Sequence, residues 1–477
     1  MSNQELLKLT ISELAPKIKV HEVSPVEITE ACLTQIERLQ PDINSFITIL
    51  SNQARQRAKE LERSLVHGEY LGPLHGIPIG IKDNLATRNI RTTIGSKIFA
   101  DYLAGEDAAV VERCYEAGAI MLGKENLHEF AMGASSENPH YNAVHNPWFL
   151  DYIPGGSSGG GGANVASSMT CASLGTDAGG SVRMPAALCG VVGIKPTYGR
   201  VSQRGLLSSA FNNDHVGPMT RSVRDNALLL QAIAGYDPLD PTTVPAPVPD
   251  YIAALDGEVR GLKMGIPKNY YFDQIDPQVE TAVRRAITAL EELGIEPYEV
   301  TLESMEHVAA LRIINITENL LLHEELIRKH RQDYGADVLY RMLPAQFVPA
   351  LDYAKCLRVQ QIIKEEHVKI LRDIDFIVTP TTPVAAFRID AKTITVRGIE
   401  YPVKGPGRSS SILGRNTMVI NHIGLPALTI PCGLTSEGLP IGLQFIGRAF
   451  EEELLFRVAN YYEAISPSRG RRPQIIN

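Results

Sequence analysis

The sequence predicts one large α/β domain in which a mixed β-sheet core is covered by helices on both faces. Short apolar segments typical of buried strands alternate with amphipathic helical segments in the first half of the chain. Strand-like segments return after a long helical region, which indicates a single unit with a helical insertion. The chain has 477 residues and no evident internal repeat, a length that suits one large α/β domain.

The first half begins with helices and continues with alternating strands and helices. Helices are predicted at 4–18, 26–39, 51–66 and 108–117, and strands at 75–81 and 119–123. Ser24-Pro25 is a typical helix start. The segment 133–162 is rich in Gly, Ser, Asn and Pro and too long for an ordinary connection. Its length favours a functional loop.

The second half surrounds a long helical region at about 303–372. Helices are predicted at 221–234, 276–293 and 451–464, and strands at 262–266, 376–379, 427–430 and 441–446. The domain then has four parts: N-terminal helices at 1–66, a core at 67–235, the helical insertion at about 303–372, and C-terminal strands and a helix at 373–477.

Composition excludes several classes of protein. Apolar residues make up 44% and charged residues 21%, as in an ordinary folded protein. A net charge of −8 without a Lys/Arg block argues against direct nucleic-acid binding. The six cysteines are scattered, with no Cys/His grouping that would hold zinc. No apolar run is long enough to span a membrane and the N-terminus lacks a secretory pattern, so we expect a cytoplasmic protein.

Three segments carry residues that point to acyl-transfer chemistry. Lys82 ends an apolar strand-like segment, and two glycine-serine clusters at 154–160 and 175–185 contain Ser157 and Ser181. A serine hydroxyl is a weak nucleophile and needs a base within hydrogen-bond reach. A lysine can be that base when burial lowers its pKa. The small residues before Ser181 leave backbone N–H groups free to bind a developing oxyanion.

A serine–histidine arrangement is the alternative. Residues 156–160 match the G-x-S-x-G pattern with Ser158 as nucleophile, and His215 and His422 are candidate bases. The strand that should lead directly into this serine is missing, because residues 151–154 read Asp-Tyr-Ile-Pro. We therefore favour the lysine-based arrangement.

With these segments in view, the chain resembles the amidase signature family. The central motifs are GGSSGG at 155–160, GTDAGGS at 175–181 and CGVVGIKPT at 189–197. The resemblance extends to motifs at 80–84, 146–148, 217–221, 379–383, 424–427 and 438–444. It covers nearly the whole chain and is weakest at 303–372. One departure follows the first cluster, where many members have Ser and a run of Ala and this chain has Asn164.

The resemblance implies a Ser-cisSer-Lys triad. Ser181 is then the acylated nucleophile, Ser157 the relay serine after a cis peptide bond, and Lys82 the base. The N–H groups of the oxyanion hole would come from Ala178, Gly179, Gly180 and Ser181. The supporting residues would be Ser158, Asp177 and Arg183. No metal or organic cofactor is implied, and 67–235 becomes the catalytic core, with the insertion on the substrate side.

Within the family, the chain is similar to the glutaminase component of the tRNA-dependent Asp/Glu amidotransferase, its A subunit, which releases ammonia from glutamine. Three features favour a stand-alone amidase instead. Gln360 stands where that subunit has an arginine for the glutamine carboxylate, although Arg358 is close by. The segment 206–215, which ends in Asp-His, resembles stand-alone amidases, and 303–345 lacks the subunit's pattern. A glutaminase subunit is the alternative, and a non-catalytic scaffold, disfavoured by the intact triad, is a second.

The expected substrate is a small amide with a neutral or aromatic acyl group, and esters, carbamates and cyclic amides lie within the range of the family. The candidate substrate contacts are Met132, Gly133 and Gln360. Some apolar residues of the insertion either line the pocket or, as we favour, form helix core: Ile313, Ile314, Leu320, Leu343 and Phe347. We expect no direct nucleic-acid or membrane partner, and a homodimer is left open.

Overall fold

The computed structural model describes residues 1–207, 213–405, 408–409 and 412–476. The helices in these ranges are α1 (Asn3–Lys8), α2 (Ile11–Lys19), α3 (Pro25–Ile43), α4 (Ser51–Val66), α5 (Ala109–Glu116), α6 (Gly159–Ala166), α7 (Arg183–Cys189), α8 (Val223–Ile233), α9 (Pro277–Glu292), α10 (Ala309–His330), α11 (Ala336–Met342), α12 (Ala350–Asp373), α13 (Met418–Ile423) and α14 (Glu452–Ile465).

The strands in the same ranges are β1 (Phe46–Ile49), β2 (Pro78–Lys82), β3 (Ile120–Glu125), β4 (Glu137–Asn138), β5 (Asn142–Ala143), β6 (Ala172–Thr176), β7 (Val192–Lys195), β8 (Val216–Thr220), β9 (Lys263–Pro267), β10 (Glu296–Val300), β11 (Phe376–Pro380), β12 (Thr393–Val396), β13 (Ile399–Pro402), β14 (Lys404–Gly405), β15 (Arg408–Ser409), β16 (Ala427–Leu434) and β17 (Pro440–Ile446).

One long sheet runs through the molecule. Within the described ranges it has eleven strands in the order β1-β3-β2-β6-β8-β7-β16-β17-β11-β9-β10. The central pairs from β6 to β11 are antiparallel, whereas β2 pairs parallel with both β3 and β6, and β9 pairs parallel with β10 and β11. Strands from both halves of the chain therefore share one core, and the predicted α/β class with a mixed sheet is confirmed.

Local sequence signals explain several element boundaries. α3 begins with a capping box in which Ser24 Oγ accepts from the N–H of Val26 and the N–H of Ser24 donates to Glu27 Oε2, both at 2.9 Å. Pro25 occupies the first turn, where its missing N–H costs no hydrogen bond. The helix predicted at 51–66 is α4, with the same bounds.

The end of the glycine-rich segment 133–162 differs from the sequence expectation of a loop, because α6 begins at Gly159. A Cβ on Gly160 would lie 2.5 Å from the carbonyl oxygen of Asn126, and one on Gly161 would lie 2.3 Å from Ser173 Oγ. The glycines therefore let this helix approach the sheet more closely than side chains would permit. Tertiary packing outweighs their low helix propensity.

Asn164, the departure from the family pattern, fixes α6 against its neighbours. Its Nδ2 donates to Glu125 Oε1 at 2.9 Å, and its Oδ1 accepts from Ser45 Oγ at 2.6 Å. Glu125 ends β3, and burial raises the pKa of its carboxyl to about 7. The polar side chain is thus accommodated by paired hydrogen bonds within a buried contact.

The helical region 303–372 contains α10, α11 and α12. Its first part packs on the loop at Phe130, whose ring stacks on Tyr334 with 5.1 Å between centroids. Across the described residues, no helix is both long and apolar enough to cross a membrane. Residues 208–212, part of the segment 206–215 that resembles stand-alone amidases, lie outside the described residues.

Candidate active site

A cavity of about 210 Å³ lies between the second glycine-serine cluster and the helical insertion. Its apolar wall includes Phe130, Met184, Ile316 and Met418, and Ser181 is on its lining. Small-molecule sites are commonly of this kind, with apolar walls and a few placed polar groups. The residues brought together here come from widely separated parts of the chain.

Lys82 lies at the end of β2 and is fully buried. Its Nζ donates to Ser157 Oγ and to Thr176 Oγ1, each at 2.8 Å. Burial lowers the pKa of Lys82 to about 7, although the negative charges of Asp214 and Asp177 act in the opposite direction. A substantial fraction of Lys82 is therefore neutral near pH 7 and able to accept a proton.

Ser157 follows a cis peptide bond from Gly156, as the resemblance implied. Its position just before α6 sets its hydroxyl beside the Lys82 amine. Ser158 joins the two clusters, since its N–H donates to the carbonyl oxygen of Ser181 at 3.2 Å and its hydroxyl donates to the carbonyl oxygen of Thr176 at 3.1 Å. Among the described residues, no hydrogen bond links the hydroxyls of Ser157 and Ser181.

Ser181 is 6% exposed and lies at the end of a loop held by a buried ion pair. Arg183 donates to both carboxylate oxygens of Asp177, through Nε and Nη2, at 3.0 Å each. Burial raises the pKa of the Asp177 carboxyl, but the charge and hydrogen bonds of Arg183 outweigh this effect and hold it well below its usual value. Asn421 Nδ2 donates to the same carboxylate at 2.8 Å.

The oxyanion donors differ in one respect from the sequence expectation. The N–H of Gly180 donates to Asp177 Oδ1 at 2.6 Å, so it is already used inside the loop. In the part of the chain that the structure describes, the N–H groups of Ala178, Gly179 and Ser181 have no acceptor. Gly180 instead has a structural requirement: its φ is +121°, and a Cβ there would lie 2.1 Å from Thr417 Oγ1.

The serine–histidine alternative has no geometric support. The hydroxyl of Ser158 bonds a backbone carbonyl group and no histidine. His215 Nε2 lies 3.0 Å from Lys195 Nζ, and burial, followed by the Lys195 charge, lowers the pKa of His215 well below its usual value. His422 Nε2 lies 3.5 Å from the Asn213 side chain. Neither histidine contacts a candidate nucleophile.

Two of the three predicted substrate contacts line the cavity, namely Met132 and Gly133. Gln360 does not, because its Nε2 donates to the carbonyl oxygen of His422 at 2.6 Å, and Arg358 on the same helix is exposed away from the lining. Neither residue is placed to bind a substrate carboxylate in the cavity.

None of the five apolar residues singled out in the insertion lines the cavity. Only some of them are buried as helix core. The cavity lining from α10 is Arg312, Asn315, Ile316 and Asn319. Ile314 is buried in the main core, and Phe347 is 85% exposed. Ile313 packs partly buried against the main core, and Leu320 and Leu343 pack against the apolar cluster behind Phe130 and Met132 without reaching the lining. The sequence indicated the helix, but not which of its faces meets the cavity.

The sequence analysis missed several polar residues of the site. Thr176 holds the Lys82 amine, and Asp214, Arg312, Arg341 and Arg415 line the cavity. Thr176 stands in the second glycine-serine cluster and Asp214 in the segment 206–215, but the sequence analysis assigned neither of them a role. The i, i+3, i+4, i+7 spacing of the α10 lining residues could have suggested a shared face. Within the described residues, no group of three His, Cys, Asp or Glu side chains is arranged to hold a metal ion.

Comparison with known proteins places the chain in a family. The amidase family model matches residues 27–456. The A subunit of the glutamyl-tRNA(Gln) amidotransferase of Moorella thermoacetica is 40% identical over 99% of each chain. The corresponding protein of Thermotoga maritima has a TM-score of 0.78 at 34% identity, over 99% of this chain and 97% of that chain.

The TM-score is higher, 0.91, for a structure described as a vestigial protein complex that reveals the evolutionary origins of an s-triazine catabolic enzyme. The chain in that structure is 31% identical to this one, and the match covers 96% of this chain and 98% of the other. The chain therefore belongs to the amidase signature family and is an amidohydrolase acting on carbon–nitrogen bonds.

Proposed function

We propose that this amidohydrolase cleaves small amides through an acyl-enzyme on Ser181, with Ser157 as relay and Lys82 as base. The observation that carries the proposal is the 2.8 Å hydrogen bond from the buried Lys82 amine to Ser157 Oγ, beside a cavity lined by Ser181. A neutral amine next to a serine hydroxyl is the activated arrangement that serine catalysis requires.

The proposed reaction begins when neutral Lys82 accepts the proton of Ser157, while Ser157 takes the proton of Ser181. The Ser181 oxygen attacks the amide carbonyl carbon and forms a tetrahedral intermediate. Ser157 then protonates the leaving amine and regains a proton from Lys82, the C–N bond breaks, and the acyl group remains on Ser181. Water, deprotonated through the same relay, hydrolyses the ester and restores Ser181. No step uses a metal or an organic cofactor.

The free N–H groups of Ala178, Gly179 and Ser181 are the donors proposed for the oxyanion of that intermediate. They precede or belong to the nucleophile, and unpaired donors at such a position can stabilise a developing oxyanion. The Asp177–Arg183 pair supports them by fixing the loop that they occupy. Loss of one donor of this kind typically slows acylation by about 10²–10³-fold.

We infer that the chain acts without a partner subunit. The position expected to hold an arginine for glutamine carries Gln360, whose amide is bound to a backbone carbonyl group outside the cavity. This contact at the glutamine position favours a small-molecule amidase.

A glutaminase subunit of a tRNA-dependent amidotransferase is the second candidate. Full-length identity of 40% to such a protein supports it. In that case the chain would pass ammonia from glutamine to a partner protein, and its activity alone would be low.

Hydrolysis by the purified chain alone tests the proposal. Aryl anilides, aliphatic amides, carbamates, esters and glutamine are assayed in parallel, with Ser181→Ala as the blank. Turnover of anilides, amides or carbamates that is lost in Ser181→Ala supports a stand-alone amidase. Glutamine as the sole substrate supports the glutaminase alternative. Equal rates for the chain and Ser181→Ala contradict the assignment of the nucleophile.

A further inference from the structure

The cavity beside Ser181 has an unusual concentration of positive charge. Three guanidinium groups lie on its lining, from Arg312 on α10, Arg341 on α11 and Arg415 just before α13. The acidic residue on the lining is Asp214. A cavity for a neutral acyl group has no need of three cations, so their presence requires an explanation.

Arg312 and Arg341 have no hydrogen-bonded or close ion-pair partner among the described residues, although the Asp337 charge on α11 acts on Arg341. Neither forms an ion pair within 4.0 Å or donates a hydrogen bond, and Arg341 Nη2 is buried without an acceptor. None of the residues outside the described ranges is Asp or Glu, so no further carboxylate side chain remains for them in the sequence. Arg312 is exposed and Arg341 is half-buried, and the buried Arg341 Nη2 without an acceptor is a donor that a bound anion would satisfy.

Arg415 differs because the protein itself holds it in place. Its Nη2 donates to the carbonyl oxygen of Tyr270 at 3.0 Å, and its guanidinium lies 4.0 Å from the centre of the Tyr270 ring. Such anchoring positions the cation with little loss of side-chain entropy on binding. The remaining N–H groups of a guanidinium can still meet an anion on the cavity side.

The single acidic residue does not neutralise this charge. Asp214 is buried with its Oδ2 unpaired, and even as a carboxylate it offsets only one of the three guanidinium charges on the lining. Burial lowers the pKa of Arg341, but only to about 10, so it remains a cation at neutral pH. The cavity therefore keeps a net positive charge where amides are hydrolysed.

From this arrangement we propose that the substrate is a small amide that carries a free carboxylate group, bound by Arg312, Arg341 and Arg415 while its amide carbonyl lies at Ser181. The inference rests on the proposed function and narrows its substrate class. Guanidinium groups match carboxylates by paired, charge-assisted hydrogen bonds. The neutral acyl group expected from the sequence would leave these cations unpaired.

The kinetic test compares monoamides of dicarboxylic acids with their diamides, which have nearly the same shape but no charge. Ammonia release from malonamate, succinamate and glutaramate is measured against malonamide, succinamide and glutaramide. N-acetylglycine covers a carboxylate on the amine side of the bond. Its neutral counterpart is N-acetylglycinamide. For at least one carboxylate substrate, we expect kcat/KM to exceed that of the neutral counterpart by about 10- to 100-fold.

Substitution of the arginines links that preference to the cavity. Arg341→Met and Arg312→Met keep side-chain length and remove charge, and we expect either to lower the acid-to-neutral ratio of kcat/KM about tenfold or more. Arg312 is exposed on its outer side, so its substitution tests the idea even where Arg341→Met folds poorly. Arg328→Met, at an exposed position of the same helix outside the cavity lining, is the matched control and keeps the ratio.

A binding measurement separates this inference from the proposed function. Calorimetry with Ser181→Ala and succinate, malonate or glutarate needs no turnover. Binding that weakens about tenfold in Arg341→Met or Arg312→Met supports the carboxylate site even where no amide is hydrolysed. The inference is overturned if the neutral amides are hydrolysed as fast as every carboxylate substrate and the acid-to-neutral ratio of kcat/KM is unchanged in both variants. The proposed function would then remain intact. Absence of both binding and acid preference also overturns it.

Discussion

Asp177 and Arg183 form a buried ion pair, with two hydrogen bonds of 3.0 Å, inside the loop that carries Ser181. The Asp177 carboxylate also accepts hydrogen bonds from the N–H groups of Gly180, at 2.6 Å, and Val182, at 3.1 Å. The loop on both sides of the nucleophile is thereby tied to one charge. The N–H groups of Ala178, Gly179 and Ser181 have no acceptor among the described residues.

Arg183→Met should strongly destabilise the protein. Removal of one partner of a buried pair leaves an uncompensated charge and typically costs about 3–5 kcal/mol. Urea unfolding followed by circular dichroism measures the change. Asp177→Asn/Arg183→Met should recover part of the loss, since no lone charge remains, and the exposed Arg328→Met should change stability by less than about 0.5 kcal/mol. An unchanged unfolding midpoint for Arg183→Met would contradict the role of the pair.

Alanine substitutions of the three serines should lower kcat by different amounts, according to the role of each serine in the proposed reaction. Ser181→Ala and Ser157→Ala should each reduce kcat by about 10⁴-fold or more, because members of a relay act as a unit. Ser158→Ala should lose less, since its hydroxyl bonds the Thr176 carbonyl oxygen instead of the base. Steady-state rates and circular dichroism of all three give the ranking. Equal activity of Ser157→Ala and the unsubstituted chain would remove Ser157 from the mechanism.

Activity should rise with pH through about 7, where Lys82 loses its proton. Only the neutral amine accepts a proton, so kcat/KM should increase about tenfold per pH unit below that value and level off above it. Rates from pH 5 to 9 are measured beside the fluorescence of the folded protein, which identifies acid unfolding. A flat profile over this range would be inconsistent with Lys82 as the base.

Phe130→Ala should loosen the cover of the cavity. The Phe130 ring stacks on Tyr334 and meets the edge of His323 at a centroid distance of 4.6 Å, so it joins the segment after β3 to the helical insertion. Loss of a buried phenylalanine side chain typically costs about 3–5 kcal/mol. We expect a lower urea midpoint and a raised KM. An unchanged KM with full stability would show that the insertion does not depend on this contact.

Much of the fold and of the proposed triad can be predicted because the signals are local. The capping box at Ser24 and the Pro25 that follows it begin α3 within a few residues. Lys82, Ser157 and Ser181 stand in short motifs whose residue types suit one chemistry. By contrast, the sequence predicts a loop where α6 forms, since glycines disfavour a helix in isolation, and only their contacts with the sheet explain why the helix forms there.

The α/β class, the order of most elements and the residues of the catalytic motifs follow from the sequence alone, because each depends on neighbours along the chain. Tertiary packing was needed to establish that Gly180 donates to Asp177, that Gln360 lies outside the cavity, and that Arg312, Arg341 and Arg415 line one cavity. The arginines are separated in sequence and sit on different elements. Helical periodicity groups residues on a face, but packing against the rest of the molecule selects the face that meets the substrate.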